Sequence, residues 1–273
     1  MTGLIDIGAN LTHDAFDHDR GEVLARAAAA GVPRMIITGS TAGCSRQALS
    51  LARSSPGRLF ATAGVHPHHA VEFGPDTATE LVEIATHPEV VAVGECGLDY
   101  FRDLSPRAAQ QHAFARQLGL AAAIGKPVFL HQRDAHGDFL AILREHIDDL
   151  PGGVAHCFTG TREQMEAYLD LGLYIGITGW ICDDSRGESL RHAVAALPMD
   201  RVVIETDAPY LLPRSLAKGS RNRRNEPANL PVVLAAAARC MGVDPESLAA
   251  ATTRNTECLF RLPPLSGGLS VMS

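Results

Sequence analysis

Short runs rich in Val, Ile, Leu and Ala recur at about residues 4–8, 34–39, 59–65, 90–95, 127–131, 153–157, 173–178 and 201–205. Continuous apolar runs of this length suit strands buried on both faces. Between them lie segments with helical spacing at 19–30, 43–54, 76–86, 106–124, 135–148, 161–171 and 187–196, followed by 231–241 and a closing helix near 245–260. Eight strands alternating with helices imply a parallel sheet closed on itself, a TIM-type (β/α)8 barrel of the α/β class.

Local punctuation agrees with these boundaries. Ser105-Pro106 and Asn229-Leu230-Pro231 read as helix entrances, Gly125 before Lys126-Pro127 as an exit into a strand, and Thr161 with Gln164 as a capping box. No linker divides the chain, and its 273 residues, 46% of them hydrophobic, suit one barrel domain over 1–261. From Leu262 onward the sequence LPPLSGGLSVMS is rich in Pro, Gly and Ser and reads as a flexible tail.

A formal charge of −7 argues against indiscriminate nucleic-acid binding, although it leaves room for a locally basic rim. Six cysteines are scattered singly with no CxxC pair, which suits buried reduced thiols. The opening MTGLIDIGAN has no basic stretch followed by a long apolar run, and no later segment approaches the roughly 20 apolar residues of a bilayer span. The expectation is a soluble cytoplasmic protein, a monomer without a stable protein partner.

Asp6, His66, Glu95, His131, His156 and Asp207 each stand at or just past the end of an apolar run. In a parallel barrel those ends share one mouth, and imidazoles converging with carboxylates there suit a divalent ion. Glu95, His131, His156 and Asp207 are the candidate ligands. His66, in the cluster His66-Pro67-His68-His69, is a candidate for substrate contact or proton handling. Asp6 reads equally as a ligand and as a hydrogen-bonding strand end. Asp99 suits loop support, and Arg133 suits a phosphate or a carboxylate. Trp180, the one tryptophan, reads first as core packing and second as a surface for a base. From Arg214 to Arg224 the chain carries Arg214, Lys218, Arg221, Arg223 and Arg224 with no acidic residue. Beside a metal, such a loop suits a phosphate backbone, with Arg223 and Arg224 as the candidate contacts; a pair between Arg224 and Glu226 is the structural alternative.

These residues fall within a series of segments, IDIGANL, GVHPH, GECGLDY, PVFLHQRDA, HCFTGT, IGITGW and ETDAPYLLPR, followed by SRNRRNEP. Their order and spacing over about residues 4–260 resemble the TatD family of metal-dependent deoxyribonucleases. The resemblance implies a TIM-type barrel and hydrolysis of DNA phosphodiesters. It also implies Glu95, His131, His156 and Asp207 as metal ligands and His66 as an active-site residue near the phosphate. Many members of the wider family carry Asp-x-His-x-His at the end of the first strand, where this chain reads Asp6-Ile7-Gly8-Ala9-Asn10. A branch resembling the founding protein also has DIGxN there. Gly8 offers no ligand atom and Asn10 only a neutral oxygen, which leaves the count at one ion or two, with Mg²⁺ or Mn²⁺ first and Zn²⁺ as the alternative.

The expected chemistry is metal-assisted hydrolysis, with the ion polarising a phosphoryl oxygen and Asp207 or His66 handling a proton. A metal low in a barrel mouth is reached by a single strand or frayed end more easily than by a rigid duplex. The reading is therefore a single-strand exonuclease, and the resemblance points to the 3′ end. Two alternatives share the same residues: an amidohydrolase-like amide or ester hydrolase, including an aminoacyl-tRNA deacylase, and a non-catalytic partner protein that keeps a metal for stability.

Overall fold

The computed structural model describes residues 3–217 and 223–263. Eight strands, β1 (Ile5–Ala9), β2 (Arg34–Ile37), β3 (Leu59–Ala63), β4 (Val90–Asp99), β5 (Val128–Arg133), β6 (Gly153–Ala155), β7 (Tyr174–Ile177) and β8 (Val202–Ile204), pair in sequence order, every pair parallel. Helices α1 (Arg20–Ala29), α2 (Ala42–Arg53), α3 (Pro75–Ala85), α4 (Arg107–Ile124), α5 (His136–Arg144), α6 (Arg162–Asp170) and α7 (Glu188–Val194) fill the crossovers. A short α8 (Arg214–Ala217) follows β8, and α9 (Leu230–Met241) and α10 (Pro245–Phe260) complete the ring.

Alternation along each strand decides what faces inward. Ile5, Ile7, Ile36, Phe60, Phe129, Val154 and Val203 meet inside the barrel and form its floor together with Leu259, Phe260 and Leu262. Their neighbours Met35, Ile37, Leu59, Ala61, Val128, Leu130 and Val202 pack outward with the helices. One pleat above the floor, the inward positions after Phe129, Val154 and Val203 are His131, His156 and Glu205. The apolar floor thus carries a polar layer directly above it.

Strands β1 and β8 complete the circle at a seam made by a few bonds. Ala9 bridges Ala208, Asn10 N donates to Ala208 O at 2.7 Å, and Asp207 N donates to Gly8 O at 2.8 Å. Below these, the buried Asp6 carboxylate accepts from Thr206 N at 2.9 Å, Thr206 Oγ1 at 2.5 Å and Gly8 N at 3.3 Å. Asp6 is therefore the clasp of the seam, and its oxygens are spent on β1 and β8.

The expected capping box of α6 is present, with Thr161 Oγ1 accepting from Gln164 N and Gln164 Oε1 accepting from Thr161 N. Four boundaries differ from expectation. Strand β4 runs four residues past Glu95, to Asp99, because Gly94 and Gly97 adopt positive φ and approach β5 so closely that a Cβ on either would strike a β5 carbonyl. Helix α5 stops at Arg144, and the rest of its predicted span becomes a 3₁₀ turn over Ile147–Asp149. The basic segment after β8 starts with helix α8 behind Pro213, where a loop was expected. Leu262, assigned by composition to the tail, is buried in the floor, and the Pro263 carbonyl accepts from Arg34 Nη1 at 2.9 Å. Residues from 264 on lie outside the described residues.

Candidate metal centre and active site

Glu95 organises the polar layer. Its Oε1 lies 2.7 Å from His156 Nε2, 3.0 Å from His131 Nδ1 and 3.3 Å from His66 Nε2. Burial alone would raise the Glu95 pKa, but the charges of His156 and His66 outweigh it and hold the carboxyl well below its ordinary range. The same contacts act on the histidines. Burial opposes charge on His131, yet bonds to Asp99 and Glu95 raise its pKa; for His156 the Glu95 and Glu205 carboxylates do the same more strongly.

His131 and His156 are each held from behind. His131 Nε2 meets Asp99 Oδ2 at 3.3 Å, and His156 Nδ1 meets Glu205 Oε2 at 3.3 Å. Such an arrangement, one ring nitrogen toward a shared carboxylate and the other toward a second carboxylate, is how proteins orient imidazoles that ligate a metal. Asp99 also accepts from His68 Nε2 at 2.9 Å, so His68, to which the sequence assigned no chemistry, helps to fix the Asp99 oxygen that meets His131.

His66, Glu95 and His131 place their donor atoms within 4.8 Å of one another, a spacing one ion could bridge. His66 differs from the other two. Its Nδ1 accepts from the backbone N–H of His68 at 3.1 Å, which leaves the ring proton on Nε2, facing Glu95. Burial also lowers its pKa to about 4, so near neutral pH it is an uncharged N–H donor. A ligand must offer a lone pair, and His66 therefore reads as a donor beside the metal centre.

Asp207 enters from the seam. Its Oδ1 accepts from Asn10 Nδ2 at 3.0 Å, and burial raises its pKa to about 7 despite the opposing charge of His156. The carboxylates of Glu95 and Glu205 also act on it, which places it beside the layer that those residues form.

Glu205 escaped the sequence reading because it continues an apolar run directly into Thr206 and Asp207. Its side chain is fully buried, with Oε1 bonded to the backbone N–H of Cys157 and Oε2 to His156. Inward parity, two residues after Val203, is the signal that finds it. Its room comes from two glycines: a Cβ on Gly8 would collide with Oε2, and one on Gly176 would lie 2.6 Å from Oε1. Gly8 thus stands where the wider pattern has an imidazole because Glu205 fills that space.

The basic segment separates into different roles. Arg224 Nη1 and Nη2 lie 2.7 and 2.6 Å from the Asp19 oxygens, Nη1 also donates to Ala15 O, and the guanidinium sits 5.0 Å from the Phe16 ring centre. Its partner is Asp19 rather than Glu226, which pairs with Arg26 at 2.8 Å. Arg223 is exposed and, among the described residues, has no ion-pair partner. Lys218 and Arg221 lie outside the described residues. Arg133, two residues past His131 on β5, stacks 4.4 Å from the Phe101 ring centre and 5.4 Å from that of Trp180.

A carboxylate shared by inward-held imidazoles at the C-terminal ends of parallel strands is the donor chemistry of a metallohydrolase. The model of the family described as TatD related DNase matches residues 5–261. The chain belongs to the TatD family. A "3'-5' ssDNA/RNA exonuclease TatD" from Citrobacter rodentium is 52% identical over 257 residues, 94% of this chain and 97% of its own. A protein of the same name from Erwinia billingiae is 52% identical over 260 residues, 95% of this chain and 100% of its own. The structure of YjjV, a TatD homologue from Escherichia coli, has a TM-score of 0.86 and 32% identity, covering 95% of this chain and 98% of that one. Among the described residues no helix is long and apolar enough to cross a membrane, and all six cysteines of this TatD-family chain are unpaired.

Proposed function

We propose that this chain is a metal-dependent 3′–5′ exonuclease that hydrolyses phosphodiesters in single-stranded or frayed DNA, with RNA as a second strand chemistry. The observation that carries the reading is one buried carboxylate oxygen, Glu95 Oε1, met by three imidazole nitrogens at the barrel mouth. The relatives named as single-strand exonucleases support the direction and the strand preference.

Glu95, His131, His156 and Asp207 would hold the ion, with Asp99 and Glu205 orienting the two imidazoles. A bound divalent ion, Mg²⁺ or Mn²⁺ in this reading, supplies polarisation of the phosphoryl oxygen and a lowered pKa for the attacking water. One ion suits the donors best, since Glu205 fills the space beside Gly8 and Asn10 is committed to Asp207. Asp207, whose Oδ1 accepts from Asn10 Nδ2, would be one of the groups that hold the ion and, when not ligating, the candidate proton acceptor. His66, whose Nε2–H faces Glu95 in this structure, would turn that donor to the reacting phosphate once Glu95 is taken up by the ion, and steady charge that builds there. Arg133 and Arg223 face the strand; Arg224 ties the loop after β8 to Asp19. The protein is read as a cytoplasmic monomer; the unpaired cysteines suit a reducing compartment.

The test uses chelator-treated protein with end-labelled linear single strands, duplexes and circular single strands. Stepwise shortening of linear strands from the 3′ end is expected with Mg²⁺ or Mn²⁺ and none with chelator. Cutting of the circle as fast as the linear strand overturns the exonuclease reading, and full turnover without metal overturns the metal centre.

A further inference from the structure

Among the described residues five large apolar side chains are exposed: Val71, Phe101, Leu104, Tyr210 and Leu216. All five lie on segments that leave the mouth ends of β3, β4 and β8. Clustering of exposed apolar surface around one opening marks a binding site rather than chance exposure.

One arc of this rim is built from rings and guanidinium groups in alternation. The Arg133 guanidinium lies 4.4 Å from the Phe101 ring centre and 5.4 Å from that of Trp180, which also carries Arg186 at 4.3 Å. Among the described residues Arg133 has neither an ion-pair nor a side-chain hydrogen-bond partner, so its charge is offered to whatever enters. Beside Trp180 opens a cavity of about 620 Å³ lined by Trp180, Arg186, Leu211, Arg214 and Arg223, a size that admits a small ligand. The buried Asp183 carboxylate holds Arg186 at 2.8 Å and Arg214 at 3.1 Å. Of the three guanidinium groups that line the cavity, two are paired with this one carboxylate and Arg223 is not, so the surplus is positive.

The distance to the chemistry is short. Arg133 and His131 share β5, two residues and about 7 Å apart along the strand. Leu211 follows Asp207 by four residues, and the loop after β7 touches the loop after β8 so tightly that a Cβ on Gly179 would strike the Leu211 carbonyl. A strand whose scissile phosphate sits at Glu95 and His131 would place its next nucleotide over this arc. Aromatic and guanidinium planes take any base by stacking and discriminate against none, because every base has a π-face.

We propose that Phe101, Arg133, Trp180 and the adjoining cavity form a stacking subsite for the base of the penultimate nucleotide, on the retained side of the scissile phosphate. The proposal rests on the exonuclease reading and assigns it a substrate feature: an unpaired base next to the cleaved bond. A duplex keeps that base stacked on its neighbours, so the subsite is a source of single-strand preference.

The experiment compares wild type, Trp180→Leu and Phe101→Ala on intact oligonucleotides, on oligonucleotides abasic at the penultimate position, and on thymidine 5′-(p-nitrophenyl phosphate), which has no neighbouring base. Wild type should show a KM on the order of 10-fold higher for the abasic strand than for the intact one. Trp180→Leu should raise KM for the intact strand by a similar factor, respond little to the missing base, and keep kcat on the p-nitrophenyl ester within about twofold. Phe101, 56% exposed, has little packing to lose, so its variant gives a smaller KM effect free of folding defects. Binding in chelator to strands with 2-aminopurine at the same position adds a readout independent of turnover: quenching in wild type, and its loss in Trp180→Leu. If wild type cleaves intact and abasic strands with equal KM, the subsite falls and the exonuclease reading stands. If wild type quenches 2-aminopurine but cleaves no strand under any metal, the exonuclease reading falls and the stacking site stands.

Discussion

The two halves of the barrel mouth hold similar residues for opposite purposes. On the β4–β6 side, Glu95, His131 and His156 point their polar atoms at one another, and each imidazole is braced from behind by a carboxylate. On the β8–β1 side, Asp6 and Thr206 bond across the seam and hold the cylinder shut, while Asp207, steadied there by Asn10, reaches from the seam toward the centre. Each side has buried groups, Glu95 and His156 on one and Asp6 and Thr206 on the other, and partly buried ones, so burial does not tell a metal centre from a structural clasp. The partners do: the clasp carboxylate is satisfied by N–H and O–H donors, whereas the centre sets a carboxylate against nitrogens that a cation could bind in place of protons.

The sharpest break of this comparison is Glu95→Gln. It removes the charge on which three histidines converge, and kcat/KM should fall by at least ~100-fold, since even outer partners of a metal ligand are worth 10–100-fold. Thermal unfolding of the metal-free protein should also shift downward, because the buried imidazoles of His131 and His156 lose a carboxylate partner, but the barrel should still fold. A large loss of stability with activity retained per folded molecule would make Glu95 a second clasp.

Asp6→Asn tests the other half through pH. Burial raises the Asp6 pKa from 3.8 to about 7. Between those values the folded protein keeps a proton on Asp6 that the unfolded chain has lost, so the native state loses stability as pH climbs through that window. The Asn variant lacks this slope. Relative to wild type it should gain on the order of 2–4 kcal/mol between pH 4 and pH 7.5 in urea unfolding of chelator-treated protein. Parallel unfolding curves for the two proteins across that range would show that Asp6 is ionised in the clasp.

Glu205→Gln probes the brace behind His156. Metal affinity, read by calorimetry, should weaken by roughly 10–100-fold while the barrel persists, because the amide still offers an oxygen to the Cys157 N–H. Unchanged affinity would make Glu205 a packing group for the space beside Gly8.

The smallest effects separate the arginines. Arg133→Gln with Arg223→Ala should flatten the dependence of strand binding on salt by up to about two phosphate contacts. Arg224→Ala should leave that slope unchanged and lower the melting temperature, since its guanidinium is occupied by Asp19. A reversal of these two results would move the phosphate contact to Arg224.

The barrel was legible because strands buried on both faces must be written as apolar runs, and the candidate ligands stand out because they interrupt those runs at one end. Glu205 does not, since an acid in VVIET looks like part of the exit from β8; only counting inward positions from Val203 brings it to the layer of His131 and His156. Asp99 was singled out, but as loop support, because β4 looked finished at Glu95; Gly94 and Gly97 let it continue against β5 and bring Asp99 to His131. The partner of Arg224 lies 205 residues away in sequence, beyond any local pattern, and the nearby Glu226 was the natural but incorrect choice. Asp6 illustrates the remaining gap: its residue type and strand position fit either role, and only the donors contributed by β8 decide.

The anchor at the floor has a practical meaning for anyone who must attach something to this molecule. Arg34, at the first residue of β2, grips Glu257 and the Pro263 carbonyl from beneath the barrel. Pro263 itself therefore sits at the pole opposite the barrel mouth, and an attachment made at it starts on that side. An affinity handle, fluorophore or surface tether placed there leaves the approach of a substrate clear, whereas trimming the chain back through Leu262 would unplug the floor and strip a buried guanidinium of a partner.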